Sequence, residues 1–149
     1  RGVADPESVG YYKNIADERK EFDRKVRTVL RGITVFMRSL VLVNPARYPI
    51  FAWQLLSHKL CRWLVPFAML SALVCNAILA ASSGGYFVLL VMQCGFYAVG
   101  LGGLLCRTLR RFTLVNLPAF YLLVNASIFK AWVQYWTGKR LVAWEPSKR

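Results

Sequence analysis

The chain has 149 residues, with 20 lysines and arginines against 7 acidic residues and a formal net charge of +13. A soluble protein with this charge would suggest nucleic-acid binding, but 56% of the residues are hydrophobic and 18% are charged. The apolar content excludes a disordered basic tail, and an ordinary soluble domain would have about 25% charged residues.

The first predicted element is a polar lead-in, residues 1–17. The first 23 residues hold six of the seven acidic residues, whereas sixteen of the twenty basic residues follow them. Because the chain begins with Arg1 and no apolar signal region follows, we expect residues 1–17 to continue from an earlier part of a longer polypeptide, or else to be the start of a trimmed or processed chain. The basic charge belongs to the apolar remainder, which is typical of a membrane protein with basic flanks.

Residues 18–62 are predicted to form two amphipathic helices that lie in the membrane interface. In the first helix, apolar residues recur at steps of three and four, which is a helical period. Arginines follow the opposite face of this helix, at Arg24, Arg27, Arg31 and Arg38. The pair Asn44-Pro45 ends it, because a residue that precedes proline disfavours helix.

The second amphipathic helix is predicted from Pro49 to about Arg62. It carries polar residues at helical spacing, Gln54, His58 and Arg62, and an apolar surface on its other side. Trp53 and Trp63 have the amphipathic rings that are favoured at the surface of a bilayer. We therefore expect this helix to lie in the headgroup region and to lead into the membrane spans.

Residues 63–136 are predicted to be transmembrane. Between Arg62 and Arg107 there are 44 uncharged residues, about twice the length that one membrane helix needs. The turn signal Ser82–Gly85 divides this run into spans 63–81 and 86–106. A third apolar segment, 112–136, would form a further span, and residues 137–149 are predicted to be a basic tail. The predicted fold is therefore an all-α membrane protein, with two interfacial helices followed by two or three transmembrane helices.

The basic residues also predict an orientation. Arg62 and the loop 107–111 flank one end of the first hairpin, and the turn at its other end is uncharged. The positive-inside rule then places residues 1–62 in the cytoplasm and the turn outside. If segment 112–136 crosses the membrane, the basic tail lies outside. If that segment is re-entrant or interfacial, the tail stays in the cytoplasm, and the sequence leaves both arrangements open.

Small residues in the spans predict close packing of the helices. One set recurs every fourth residue in the first span, and a second set shares a face of the second span: Ala68, Ala72, Asn76, Ala80; Gly95, Ala98, Gly102. Asn76 and Gln93 either bridge the helices or line a path for a ligand. Four cysteines lack the spacing of a metal site and are interpreted as reduced packing residues: Cys61, Cys75, Cys94 and Cys106.

The chain has no Gly-rich phosphate loop, Ser/His/Asp set or metal-ligand cluster, so we predict no catalytic residue and no metal site in it. Acidic residues gather at the start of the basic helix, where they either perform acid–base chemistry or complement the helix dipole. The candidates for binding are Arg24, Arg27 and Arg31, because guanidinium groups hold phosphate through paired hydrogen bonds. That phosphate would belong to a lipid or to a nucleotide diphosphate.

Several stretches resemble the C-terminal part of bacterial family 2 glycosyltransferases, the membrane enzymes related to cellulose, hyaluronan and poly-N-acetylglucosamine synthases. The stretches are Glu21–Gly32, Leu42–Pro45, Trp53–Arg62 and Trp144–Arg149. The resemblance covers about residues 8–149 and depends on the order and spacing of the stretches around the spans. Many members carry the signature Gln-x-x-Arg-Trp on an interfacial helix. Its arginine is associated with the nucleotide diphosphate and its tryptophan with the acceptor sugar.

The resemblance implies that Arg27 has the role of the signature arginine. Arg24 stands in the place of the glutamine and Thr28 in the place of the tryptophan, so the acceptor-stacking role does not carry over. The resemblance also implies an upstream GT-A domain in the same polypeptide. That domain would hold the catalytic base, the nucleotide-sugar donor and a divalent metal, Mg or Mn.

The implied function is that of the membrane-anchoring part of a glycosyltransferase in the bacterial inner membrane. Its partners would be the lipid bilayer, the upstream GT-A domain and a glycan or lipid-linked acceptor, and not nucleic acid. Sugar would pass from a nucleotide-sugar donor to the acceptor at the cytoplasmic face, and this chain alone would be inactive. The alternative is a non-enzymatic membrane scaffold or a small transporter subunit.

Overall fold

The computed structural model describes residues 18–139, and every regular element in this range is helical. The long helices are α1, Glu18–Arg38; α2, Pro49–Leu79; α3, Gly84–Leu105; and α4, Thr113–Trp136. Two short 3-10 turns, Leu40–Val43 and Arg107–Arg111, lie in the connections before α2 and before α4. The predicted all-α class is confirmed for this range. The lead-in 1–17 and residues 140–149 of the predicted tail lie outside the described residues.

Helices α2, α3 and α4 are each long and apolar enough to cross a membrane. The predicted spans 86–106 and 112–136 agree with α3 and α4 to within two residues at each end. The turn between α2 and α3 lies two residues earlier than predicted, because Gly84 and Gly85 already belong to the first turn of α3. Residues 80–83 make the reversal instead.

The structure differs from the prediction at the start of the first span. A separate interfacial helix was expected to end near Arg62, but α2 continues without a break from Pro49 to Leu79. A change from polar to apolar residues does not end a helix, and no proline or glycine lies between Pro49 and Pro66. The stretch Leu55–Leu60 is π-helical, so the change in composition is accommodated by a local widening of the helix.

The buried core lies where α1 packs against α2 and α4. The buried side chains recur at steps of three and four along α1 and meet partners from the other two helices: Val26, Leu30, Ile33, Phe36; Trp63; Ile128, Ala131, Trp132. Phe36 and Trp63 meet edge to face, with ring centroids 5.8 Å apart. Trp132 Nε1 donates a hydrogen bond of 3.0 Å to the Trp63 carbonyl. The apolar side of α1 is thus covered by other helices of the chain.

Helices α2 and α3 form an antiparallel hairpin that is joined by polar side chains within its apolar length. Asn76 Nδ2 donates to Gln93 Oε1 at 2.9 Å. Gln93 Nε2 donates to the Met69 carbonyl at 3.1 Å and to the Tyr97 hydroxyl at 2.8 Å. Asn76 and Gln93 were expected either to bridge the helices or to line a path for a ligand. These hydrogen bonds show that they bridge the helices.

Two expectations about packing in the hairpin are wrong. The four cysteines are free, but all are exposed and none fills the core. The face formed by Gly95, Ala98 and Gly102 is not a packing seam, since no atom lies within 4 Å of a Cβ added at either glycine. The close approach is made by Gly103, where an added Cβ would lie 2.8 Å from Val115 Cγ1 of α4. Helical spacing identifies small residues that share a face, but it does not say which face meets a neighbour.

Helix α4 lies across the base of the hairpin. Near its beginning, Val115 contacts Gly103, and at its end the Trp136 ring lies 5.8 Å from the Phe67 ring. The Met69 carbonyl accepts hydrogen bonds from Gln93 Nε2 and from the Tyr97 hydroxyl of α3, so Phe67 lies within about two helical turns of the level of Gly103. Residues 115–136 extend about 31 Å along a helix. Because α4 is longer than the separation of these two contacts along the hairpin, it crosses the hairpin obliquely.

Candidate functional site

A groove with a volume of about 430 Å³ opens between α1, α2 and α4. Basic side chains from two helices line it: Arg24 and Lys25 of α1, and His58, Lys59 and Arg62 of α2. Its remaining lining is largely apolar and comes from all three helices: Val29, Trp63, Phe120, Val124 and Ile128. A site of this kind can bind an anion whose other part is apolar.

Gly32 allows the two basic sets to approach each other. A Cβ added at Gly32 would lie 2.8 Å from Trp63 Cζ2, which is closer than real Cβ contacts. A larger residue would push α1 away from α2 beside the groove, which both Gly32 and Trp63 line. Gly32 lies inside the regular helix α1, so it is not needed for a turn. The close approach of Trp63 explains why this position has no side chain.

The structure separates the three arginines that were predicted to bind phosphate. Arg24 lines the groove, whereas Arg27 and Arg31 do not. An α-helix turns by about 100° per residue, so Arg31 and then Arg27 lie progressively further round α1 from the side that carries Lys25 and Val29. The predicted arginines share one side of α1, but only Arg24, at the edge of that side, lines the groove.

Lys59 and Arg62 were not predicted to be phosphate-binding residues. Arg62 was interpreted as a flank that sets topology, and Lys59 was not singled out. Both are exposed in the groove, and neither forms an ion pair with a carboxylate of residues 18–139. The sequence signal that could have found them is the short spacing of His58, Lys59 and Arg62. Their approach to α1, more than thirty residues earlier, depends on tertiary packing.

Glu21 partly neutralises the α1 side of the groove. Arg24 donates two hydrogen bonds to its carboxylate, from Nε at 2.8 Å and from Nη2 at 2.7 Å. Lys25 Nζ lies 3.4 Å from Glu21 Oε1. The hydrogen bond from Arg24 holds the pKa of Glu21 below its usual value, so this carboxylate is charged at neutral pH. The uncompensated positive charge lies on the α2 side.

A second acidic residue ties α1 to α4. Lys130 Nζ lies 3.3 Å from Asp23 Oδ1 and 5.0 Å from the centroid of the Phe22 ring. Asp23 and Glu21 are therefore occupied in ion pairs, which is a structural use of the acidic residues at this end of α1. Among residues 18–139, no group of three histidines, cysteines or acidic residues could hold a metal ion.

Comparison of the chain with protein-family models, with curated proteins and with solved structures gives no match. The function is therefore argued from the groove, from its position on the hairpin, and from the sequence stretches that resemble family 2 glycosyltransferases. The roles expected for Arg24, Arg27 and Arg31 in phosphate binding stay predictions.

Proposed function

We propose that this chain is the membrane-anchoring part of a glycosyltransferase. The enzyme would transfer a sugar from a nucleotide-sugar donor to a glycan or lipid-linked acceptor at the cytoplasmic face of a bacterial inner membrane. The observation that carries the proposal is the groove, in which basic side chains of α1 and α2 converge over an apolar lining at the base of an apolar hairpin. The order of the stretches that resemble family 2 glycosyltransferases supports the same function.

The chemistry of sugar transfer explains why a basic groove suits this function. The bond between the sugar C1 and the nucleotide diphosphate breaks, and a bond between C1 and the acceptor oxygen forms. The acceptor proton passes to a base, which we assign to the GT-A domain together with the divalent metal. Cationic side chains stabilise the charge on the departing diphosphate. We propose this role for Arg24, at the edge of the groove, and for Arg27 and Arg31, which lie outside the groove on the adjoining side of α1.

Membranes that contain the intact protein test the proposal directly. We expect label to pass from one of radiolabelled UDP-glucose, UDP-N-acetylglucosamine or GDP-mannose into lipid-extractable or polymeric product. Arg27→Ala should lower this transfer about tenfold, since a charge-assisted hydrogen bond is worth about 1.5–3 kcal/mol. Arg38→Ala, an exposed arginine at the other end of α1, is the control and should leave transfer unchanged.

Two outcomes of this assay would contradict the proposal. Absence of transfer from all three donors, with the protein correctly inserted, would favour the non-enzymatic scaffold or transporter subunit. Equal transfer by the Arg27→Ala and Arg38→Ala variants would reject the role in diphosphate binding that the resemblance implies for Arg27.

A further inference from the structure

We propose that the groove binds the phosphate group of a membrane lipid, and that the hydrocarbon chain of this lipid follows an apolar channel between α2 and α4. The inference deepens the proposed function, on which it rests, because it assigns the lipid-linked substrate to a defined place. It is carried by the charge of the groove, by the channel that continues it, and by its depth in the membrane.

The α2 side of the groove supplies the positive charge. Lys59 and Arg62 are exposed there and form no ion pair with a described carboxylate. Lys25 faces them from α1, with its ammonium 4.8 Å from the centroid of the Phe120 ring. A phosphate between the two helices would therefore meet cations from both sides, with an aromatic ring beside it.

A second cavity of about 220 Å³ continues the groove toward the apolar part of the hairpin. The two cavities share Arg62, Phe120, Val124 and Ile128, and the second one extends to Val65 and Tyr121. Arg62 thus stands where the basic groove becomes the apolar channel. This arrangement matches a ligand with a charged head and a hydrocarbon chain.

The buried polar side chains that line these cavities, Asn125 and Ser127, are already bonded within their own helix. Asn125 Nδ2 donates to the Tyr121 carbonyl at 2.9 Å, and Ser127 Oγ donates to the Val124 carbonyl at 2.7 Å. Among the described residues, neither side chain has a buried polar atom that lacks a hydrogen-bond partner. The channel therefore favours a hydrocarbon chain as its occupant.

The position of Arg62 along α2 sets the depth of the groove. About 20 residues are needed to cross the hydrocarbon core, and Arg62 precedes the turn residue Ser82 by that number of residues. The groove then lies at the height of the lipid headgroups, while Val65 lies on the hydrocarbon side. A soluble phosphate compound would make no use of the channel, so the lipid is the source we assign.

Lipid retention by the intact protein tests the inference without any sugar donor. The protein is placed in phosphatidylcholine nanodiscs that contain about one part in ten of phosphatidic acid or of undecaprenyl phosphate. Native mass spectrometry then counts the lipids that remain bound. We expect a single phosphate lipid to be retained, and Lys59→Ala/Arg62→Ala should lower its retention about tenfold or more, since charge-assisted bonds are lost.

The control is Arg38→Ala/Lys139→Ala, which removes the same charge from exposed positions outside the groove. Circular dichroism checks that each variant keeps its helices, and Lys59→Gln/Arg62→Gln serves as a second groove variant. Equal retention by the groove and control variants would overturn the inference. So would inorganic phosphate binding as tightly as either lipid, because the channel would then contribute nothing.

The two proposals fail separately. If the groove variants lose lipid retention while sugar transfer is absent in the wild type, the lipid site stands and the glycosyltransferase function is rejected. If sugar transfer is present and lipid retention does not depend on Lys59 and Arg62, the function stands and the lipid site is overturned.

Discussion

Glu21 competes with any phosphate for two of the basic side chains of the groove. Its carboxylate accepts two hydrogen bonds from Arg24 and lies 3.4 Å from Lys25. Glu21→Gln removes this negative charge and leaves a side chain of similar size. We expect the variant to bind phosphatidic acid several-fold more tightly in nanodiscs, because the two cations become more available and local repulsion falls.

Asp23→Asn is the matched control for this substitution. It removes the same charge from the same helix, but Asp23 pairs with Lys130 of α4 and does not line the groove. Its affinity for phosphatidic acid should stay close to that of the wild type. An equal gain in both variants would show that only the overall charge matters, and weaker binding by Glu21→Gln would mean that Glu21 positions the cations.

The sequence predicted only some of the residues that line the groove. Arg24, Arg27 and Arg31 were predicted to bind phosphate, which stays a prediction, and of the three Arg24 lines the groove. Lys59 and Arg62 were not predicted to line the same site as Arg24. The contact between Gly32 and Trp63 that brings α1 and α2 together depends on tertiary packing, which the sequence pattern does not give. Helical spacing predicts which residues share a face of one helix, but it does not predict which faces of two helices contact each other.

The packing of α3 against α4 depends on Gly103. A Cβ added there would lie 2.8 Å from Val115 Cγ1 and 3.0 Å from Ala119 Cβ. Gly103→Ala should therefore destabilise the protein by about 1–3 kcal/mol through overpacking. The measurement is the midpoint of thermal unfolding in detergent, followed by circular dichroism.

The neighbouring glycine provides the control. Nothing lies within 4 Å of a Cβ added at Gly102, and alanine is favoured over glycine inside a helix by about 0.5–1 kcal/mol. Gly102→Ala should leave the midpoint unchanged or raise it. If Gly102→Ala lowers the midpoint as much as Gly103→Ala does, the assigned contact face of α3 is wrong.

Among the elements, the three long apolar helices were predicted from the sequence, whereas the interfacial position of α1 stays a prediction. An uncharged run of 44 residues with a glycine turn at its middle leaves few arrangements other than a helical hairpin. The end of the second amphipathic helix was not predicted correctly, because the change in polarity at Arg62 was taken for a helix end. Helix α2 passes this point with a π-helical stretch just before it, so backbone hydrogen bonding is not interrupted.

The arrangement of the helices predicts the side of the membrane on which α4 ends. Both ends of α4 contact the base of the hairpin, through Val115 with Gly103 and through Trp136 with Phe67. We therefore expect both flanks of α4 to be accessible from the same side. This favours the second of the two arrangements that the sequence left open, in which the basic tail stays with the loop 107–111.

Labelling with an impermeant maleimide measures this in sealed vesicles. The four free cysteines are first replaced by alanine, and single cysteines are then introduced by Ser82→Cys, Thr108→Cys and Gly138→Cys. Positions 108 and 138 should be labelled from one side and position 82 from the other. Labelling of positions 82 and 138 from the same side would mean that α4 crosses the membrane, and that it does not lie across the hairpin in the bilayer.

If α1, α2 and α4 together form a site for a lipid phosphate, a lipid bound there can be crosslinked to the residues that line it. Phosphatidic acid with a photoreactive group near the start of its acyl chain is added to the intact protein in nanodiscs, and the crosslinked residues are mapped. We expect crosslinks at Val65, Val124 and Ile128, and their loss in Lys59→Ala/Arg62→Ala. Crosslinks spread over exposed hairpin positions such as Ile78 and Met92, unchanged in that variant, would contradict it.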